Sequence, residues 1–248
     1  MRYATRAQLA IEERLVAQAQ ADAAPRLTRA GAALAGRAQE IQDHHPERSE
    51  LTADQSAAVL SGLTDGKRVS VINAPAGSGK TRVLAEAARV WAAAGRGPVV
   101  GITPSQSARN TLAAGVAESC NTARFLGDLP GERGARGPLP ISEGTLLLVD
   151  EASMIPTPDP SDLVSLAGAR RAKVVLAGDT GQLQAVENGG AMSLLAGALG
   201  YARLADPVPF RAAWEQAASL RLRTGDAPVL AEYNQHDRIS CTLFGVRY

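Results

Sequence analysis

A strand-like run, Arg-Val-Ser-Val-Ile-Asn-Ala at 68–74, passes at once into Pro-Ala-Gly-Ser-Gly-Lys-Thr at 75–81, and a segment of helical composition follows. Few folds accept a glycine-rich turn between a buried strand and a helix. Glycines let the chain bend so that successive backbone N–H groups face phosphate oxygens, and the helix N-terminus adds partial positive charge. Ala76, Gly77, Ser78, Gly79, Lys80 and Thr81 form the expected cradle. Lys80 reaches the outer phosphates and the Thr81 hydroxyl takes a coordination position on Mg2+. Position 74 is Ala where the general pattern has Gly, while Gly77 and Gly79 remain for the tightest part of the loop. The alternative is an ordinary glycine-rich turn; the Gly-Lys-Thr triplet in this setting favours nucleotide binding.

The surrounding pattern fits. The runs at 68–74, 97–103, 144–150 and 172–178 are short and apolar without polar alternation, as strands buried on both faces are. Segments 81–95, 105–119 and 160–171 between them have helical composition. Strand and helix alternating in this way predict an α/β fold, a parallel sheet flanked by helices and joined through right-handed crossovers. Ligands of such sheets bind beyond the carboxyl ends of the strands.

Two further elements fall at those ends. Asp150, after the run Leu-Leu-Leu-Val, is placed to hold Mg2+, and Glu151 to orient or deprotonate an attacking water. After the run at 172–178 comes Asp179 and then Gln182, whose neutral amide can sense the γ-phosphate and relay its loss to a neighbouring strand-binding surface. Small-molecule kinases share the P-loop but leave Gln182 without a purpose. From the residues alone the reading is a Mg2+-dependent nucleoside triphosphatase.

Composition narrows the setting. A net charge of +1 gives no protein-wide positive field, so any nucleic-acid contact must come from a local groove. Aromatic residues make up 4% of the chain, so contacts to a strand are expected to run through its backbone rather than through extended base stacking. Cys120 and Cys241 suggest neither a disulfide framework nor a zinc site. His44 and His45 are adjacent and point apart, as surface linker residues rather than metal ligands. The first residues carry carboxylates where a signal peptide needs an apolar core, and no stretch is long and apolar enough to span a bilayer, so the expected location is the cytoplasm, with no membrane partner.

Residues 1–48 are rich in Ala, Arg, Gln and Glu, with Pro25 separating two helical segments; Leu9, Ile11, Leu15, Val16 and Ala19 make a partly regular stripe. This region is expected to be a helical extension and linker, either a docking helix or a solvated overhang. A domain of alternating strands and helices is then expected over 49–238, followed by a tail over 239–248.

The run of motifs resembles superfamily 1 helicases of the RecD-like branch, above all the helicase portion of MobF-type conjugative relaxases of actinobacteria, over about residues 3–238. The resemblance implies ATP as the nucleotide, with Gln55 in Leu-Thr-Ala-Asp-Gln reading the adenine. It also implies single-stranded DNA as a partner, touched at Thr103 and Ser105 and, further on, at Thr122. Residues 213–226 resemble the family's stretch after its fourth motif. An Arg-Phe pair before the Trp-Glu, whose arginine contacts the γ-phosphate in the family, is Pro209-Phe210 here, with Arg211 two residues beyond. An arginine finger contributes roughly 10³ to 10⁵ in turnover, so this substitution predicts weak hydrolysis. The family continues into a second RecA-like domain, and the present sequence is expected to be its first motor domain alone, truncated, working with a relaxase or second motor domain as partner. The alternative is a non-hydrolysing, nucleotide-dependent DNA- or partner-binding module.

Overall fold

Alternate residues of each central strand point to opposite faces of one sheet, and both faces are covered. In the computed structural model, the described residues are 5–35, 51–75, 77–103, 118–121, 141–155, 158–181, 190–204, 213–223, 225–239, 242–243 and 246–247. The six strands are β1 (Val69–Asn73), β2 (Val99–Thr103), β3 (Glu118–Asn121), β4 (Leu146–Val149), β5 (Lys173–Gly178) and β6 (Ala202–Arg203). Their spatial order is β3-β2-β4-β5-β1-β6, and every pairing is parallel. This confirms the α/β fold with a parallel sheet flanked by helices.

One face carries Val69, Val71, Val100, Ile102, Leu147, Val149, Val174 and Leu176, covered by helices α1 (Arg6–Gln20), α4 (Pro158–Ala169) and α5 (Ala191–Leu199). The other carries Ile72, Val99, Leu146, Leu148, Val175 and Ala177 beneath α2 (Ala53–Thr64) and α3 (Lys80–Ala93). Trp91 of α3 is fully buried, and its indole N–H donates to the Gly144 carbonyl at 3.0 Å, fixing that helix over the turn that feeds β4. A tryptophan in a core requires such an acceptor.

Two expectations change. Helix α1 is packed into the domain and is not a solvated overhang. Leu15 and Ala19 are fully buried in the first core, Ser165 of α4 donates to Gln18 Oε1 at 2.9 Å, and Arg68 N–H donates to the Ala21 carbonyl at 3.0 Å. The compact unit accordingly spans Met1–Ala205, and the boundary expected near residue 48 does not divide it. Second, Glu118 and Ser119, read as the end of a helix, lie in β3. Among the described residues this strand pairs with β2 alone, at the edge of the sheet, where no apolar run is needed.

Polar side chains close the opposite, amino-terminal end of the sheet. Lys173 at the start of β5 is fully buried, and its amine donates to the carbonyls of Asp65 at 2.7 Å and Lys67 at 2.9 Å. Burial lowers its pKa from 10.5 to about 8. Arg68 donates to the carbonyls of Ala167 and Ala172, both at 3.3 Å, and burial lowers its pKa too.

The second compact unit is Asp206–Tyr248. Helix α6 (Ala213–Arg223) and helix α7 (Val229–Gln235) pack together around buried Ala218 and Val229. Trp214 stacks on His236 with ring centroids 3.9 Å apart, and Tyr233 meets it edge-on at 5.4 Å. Strands β7 (Thr242–Leu243) and β8 (Val246–Arg247) form an antiparallel pair within the stretch read as a tail.

Candidate nucleotide site

Strands β4, β5 and β1 are neighbours, so the three segments that leave their carboxyl termini meet at one end of the sheet. From β1 comes the glycine-rich loop. Gly77 and Gly79 have φ of +80° and +83°, and Gly79 is the N-cap of α3. Ser78 folds back on the loop, its hydroxyl donating to the Pro75 carbonyl at 2.7 Å. Ala74 is absent from the left-handed residues and is buried, so Ala serves there without strain. Ala76 lies outside the described residues.

Lys80 opens α3 and projects across the carboxyl end of the sheet to the end of β4. Its ammonium lies 3.1 Å from Asp150 Oδ1 and 2.5 Å from Glu151 Oε1. Asp150 is almost completely buried; desolvation pushes its carboxyl above the usual range, opposed by Lys80 and by the Glu151 N–H, which donates to Asp150 Oδ1 at 2.8 Å. Glu151 has φ of 52°, a left-handed conformation that costs a non-glycine residue about 1–2 kcal/mol. That strain turns the chain sharply after β4, so the two carboxylates flank one ammonium. Among the described residues, the buried atoms Glu151 Oε2 and Ser153 Oγ have no hydrogen-bond partner. Buried polar groups are normally satisfied, so these two are suited to water or ligand atoms.

From β5 comes Gly178-Asp179. A Cβ at Gly178 would stand 3.0 Å from Ser153 N, 3.2 Å from Ala152 N and 2.7 Å from Met192 Sδ, so the turn after Asp150 rests directly on this strand end. Asp179 is buried and accepts from Gly181 N–H at 2.9 Å. Gln182, expected as the γ-phosphate sensor, lies outside the described residues, as do Ser105, Thr122, Pro209 and Arg211.

Gln55 is drawn into the same neighbourhood. It is buried, its Nε2 donates to the Ser78 carbonyl at 2.9 Å, and its Oε1 accepts from Thr52 N–H at 3.1 Å. The amide thus ties the start of α2 to the loop, a contact that sequence spacing gave no means of seeing. Thr81 follows Lys80 and is partly exposed at the start of α3. Thr103 ends β2 and is fully buried. Sequence reasoning also passed over Asn73 and Ser153. Asn at the end of a buried strand was the available signal, since Asn is depleted from strands.

The residues fit a nucleoside triphosphate and its metal. Left-handed glycines, a helix N-terminus and a lysine provide anion contacts, and a carboxylate with an adjacent hydroxyl-bearing helix provides hard oxygen donors. Among the described residues no group of three His, Cys, Asp or Glu could hold a metal unaided. Mg2+ typically takes one or two protein oxygens and completes its shell with phosphates and water.

Fold and site together define a P-loop domain of RecA-like helicase architecture. The chain belongs to the AAA domain family, whose profile matches residues 50–243. It is 30% identical over 194 residues to "Conjugal transfer protein TraA" of Rhizobium radiobacter, covering 78% of this chain and 17% of that protein. It is 32% identical over 143 residues to "Multifunctional conjugation protein TraI" of Escherichia coli K12, covering 56% of this chain and 8% of that protein. The chain therefore spans under a fifth of the length of TraA. Among solved structures, the Pif1 helicase of Candida albicans superposes with a TM-score of 0.54 at 17% identity, over 80% of this chain and 50% of that one, and supports the fold. This is a P-loop domain homologous to part of conjugative transfer proteins. No described helix is long and apolar enough to cross a membrane.

Proposed function

We propose that this chain is the ATP-binding first motor domain of a conjugative-transfer DNA helicase, of the RecD-like branch and close to the MobF-type relaxases of actinobacteria. The observation that carries the reading is Lys80 held between Asp150 and Glu151 at the mouth of the glycine-rich loop. Bound Mg2+ would supply charge neutralisation across the phosphates. Thr81 and Asp150 would hold it, Lys80 would exchange a carboxylate for phosphate oxygen, and backbone N–H groups of 77–81 would take the remaining oxygens. Glu151, released from Lys80, would accept a proton from the attacking water. Gln182 would sense the outer phosphate, and Gln55 would monitor the base end through its hold on Ser78. Single-stranded DNA would be touched at Thr103, Ser105 and Thr122. Stepping along a strand takes two RecA-like lobes that close and open in turn; this chain would act as one, beside a relaxase or second motor domain.

Titration of the chain with a fluorescent ATP analogue and Mg2+ tests the reading. Lys80→Ala removes a charged hydrogen bond to phosphate and should weaken binding by roughly ten- to a hundredfold. Equal binding by both proteins would defeat the assignment. Pro209, in the position of the family's γ-phosphate arginine, favours a second reading in which the domain binds nucleotide and DNA with little hydrolysis. Single-turnover hydrolysis by the wild type separates the two.

A further inference from the structure

Asn73 is the last residue of β1, two positions before the loop begins at Pro75. Its backbone is fixed on both sides: it pairs with Gly178 of β5 and Arg203 of β6, and its carbonyl accepts from Leu204 N–H at 3.0 Å. Ala74 N–H, next along, donates to the Gly178 carbonyl at 2.7 Å. The side chain does something else. Asn73 Oδ1 accepts the backbone N–H of Thr180 at 3.1 Å, reaching over the end of β5 to the turn that leads to Gln182. That turn is otherwise closed by its own Asp179, which accepts from Gly181 N–H.

An apolar residue would continue the buried pattern of β1, in which Val69, Val71 and Ile72 are buried. Asn is a poor strand former. It is also no part of the glycine-rich signature, so neither strand propensity nor the loop motif accounts for it. What the position does require is a short side chain with an acceptor at its tip. We propose that Asn73 is a positioning residue which couples the phosphate loop to the turn at 179–181, so that a shift of the loop on binding phosphate is passed through one amide oxygen to the Thr180 N–H. The coupling rests on the reading of the loop as a nucleoside triphosphate site; the hydrogen bond itself does not.

Amide hydrogen exchange at Thr180, followed by NMR on the full chain, tests both parts. Without nucleotide, Asn73→Ala should speed exchange at Thr180 by roughly three- to tenfold, the worth of one net hydrogen bond. Asn73→Asp keeps the acceptor and should stay within about twofold of wild type on the same scale. Exchange unchanged in the Ala variant, or equally fast in both variants, overturns the role, the second because it would show a packing effect without need of an acceptor. With Mg2+ and the non-hydrolysable analogue AMP-PNP, Thr180 exchange should slow in wild type and in Asn73→Asp, and stay fast in Asn73→Ala. Equal slowing in all three overturns the coupling. A wild type that binds no AMP-PNP overturns the phosphate reading and the coupling with it, while the nucleotide-free comparison still decides whether Asn73 holds the turn.

Discussion

Gly79 sits where two demands meet. Its φ of +83° suits glycine alone without strain, and a Cβ there would stand 2.5 Å from Gln55 Nε2. Gly79→Ala should therefore both strain the loop and push Gln55 off the Ser78 carbonyl. Left-handed backbone at an alanine costs about 1–2 kcal/mol, so affinity for the ATP analogue should fall roughly tenfold or more. Calorimetric titration measures it, and an alanine variant binding as wild type does would mean that the strain is borne equally with and without nucleotide. Lys173 makes a different demand, on pH. Unfolded, its amine keeps a proton up to about pH 10.5; folded, burial releases it near pH 8. Between those values the unfolded chain binds more protons, so stability rises with pH across that window and is insensitive to this group below it. From pH 8 to 9.5 the gain is about 2 kcal/mol. Urea unfolding at those two pH values should show the rise in wild type and a flatter profile in Lys173→Met.

Among the elements, the central strands were legible because a strand buried on both faces needs a continuous apolar run, and Leu146–Val149 and Lys173–Gly178 both have one. Helix α3 was legible from its place behind the loop. The edge strand β3 was not, because Glu-Ser-Cys-Asn carries no pattern, and β6 has only two residues. The candidate site was legible where chemistry is local: Lys80, Asp150 and Glu151 were named from their motifs. The clasp from Gln55 to Ser78 and the reach of Asn73 to Thr180 depend on residues 23 and 107 apart in the chain, which spacing cannot report. Helix α1 was misjudged for a related reason. Its stripe is irregular because only Leu15 and Ala19 are fully inserted, while Leu9 stays half exposed. Leu15→Ala should cost about 2–5 kcal/mol, the range for a fully buried leucine. Loss of under 0.5 kcal/mol in chemical denaturation would return α1 to the surface.

At the scale of the whole molecule, the two compact units divide the labour of folding: one sheet with two apolar layers, and a small helical pair built around Trp214. The larger unit places its buried cations at one end of the sheet and its acidic pair at the other, so the electrostatic features are kept apart. Lys80 is a single positive charge set against two negative ones. A triphosphate must therefore compete with two carboxylates for this one ammonium. Chelating the divalent ion with EDTA should abolish association rather than merely slow turnover, and neutralising one competitor with Asp150→Asn should restore some metal-free affinity. The domain would thus admit its fuel only when escorted by a metal, a gate set by local charge and not by any moving part.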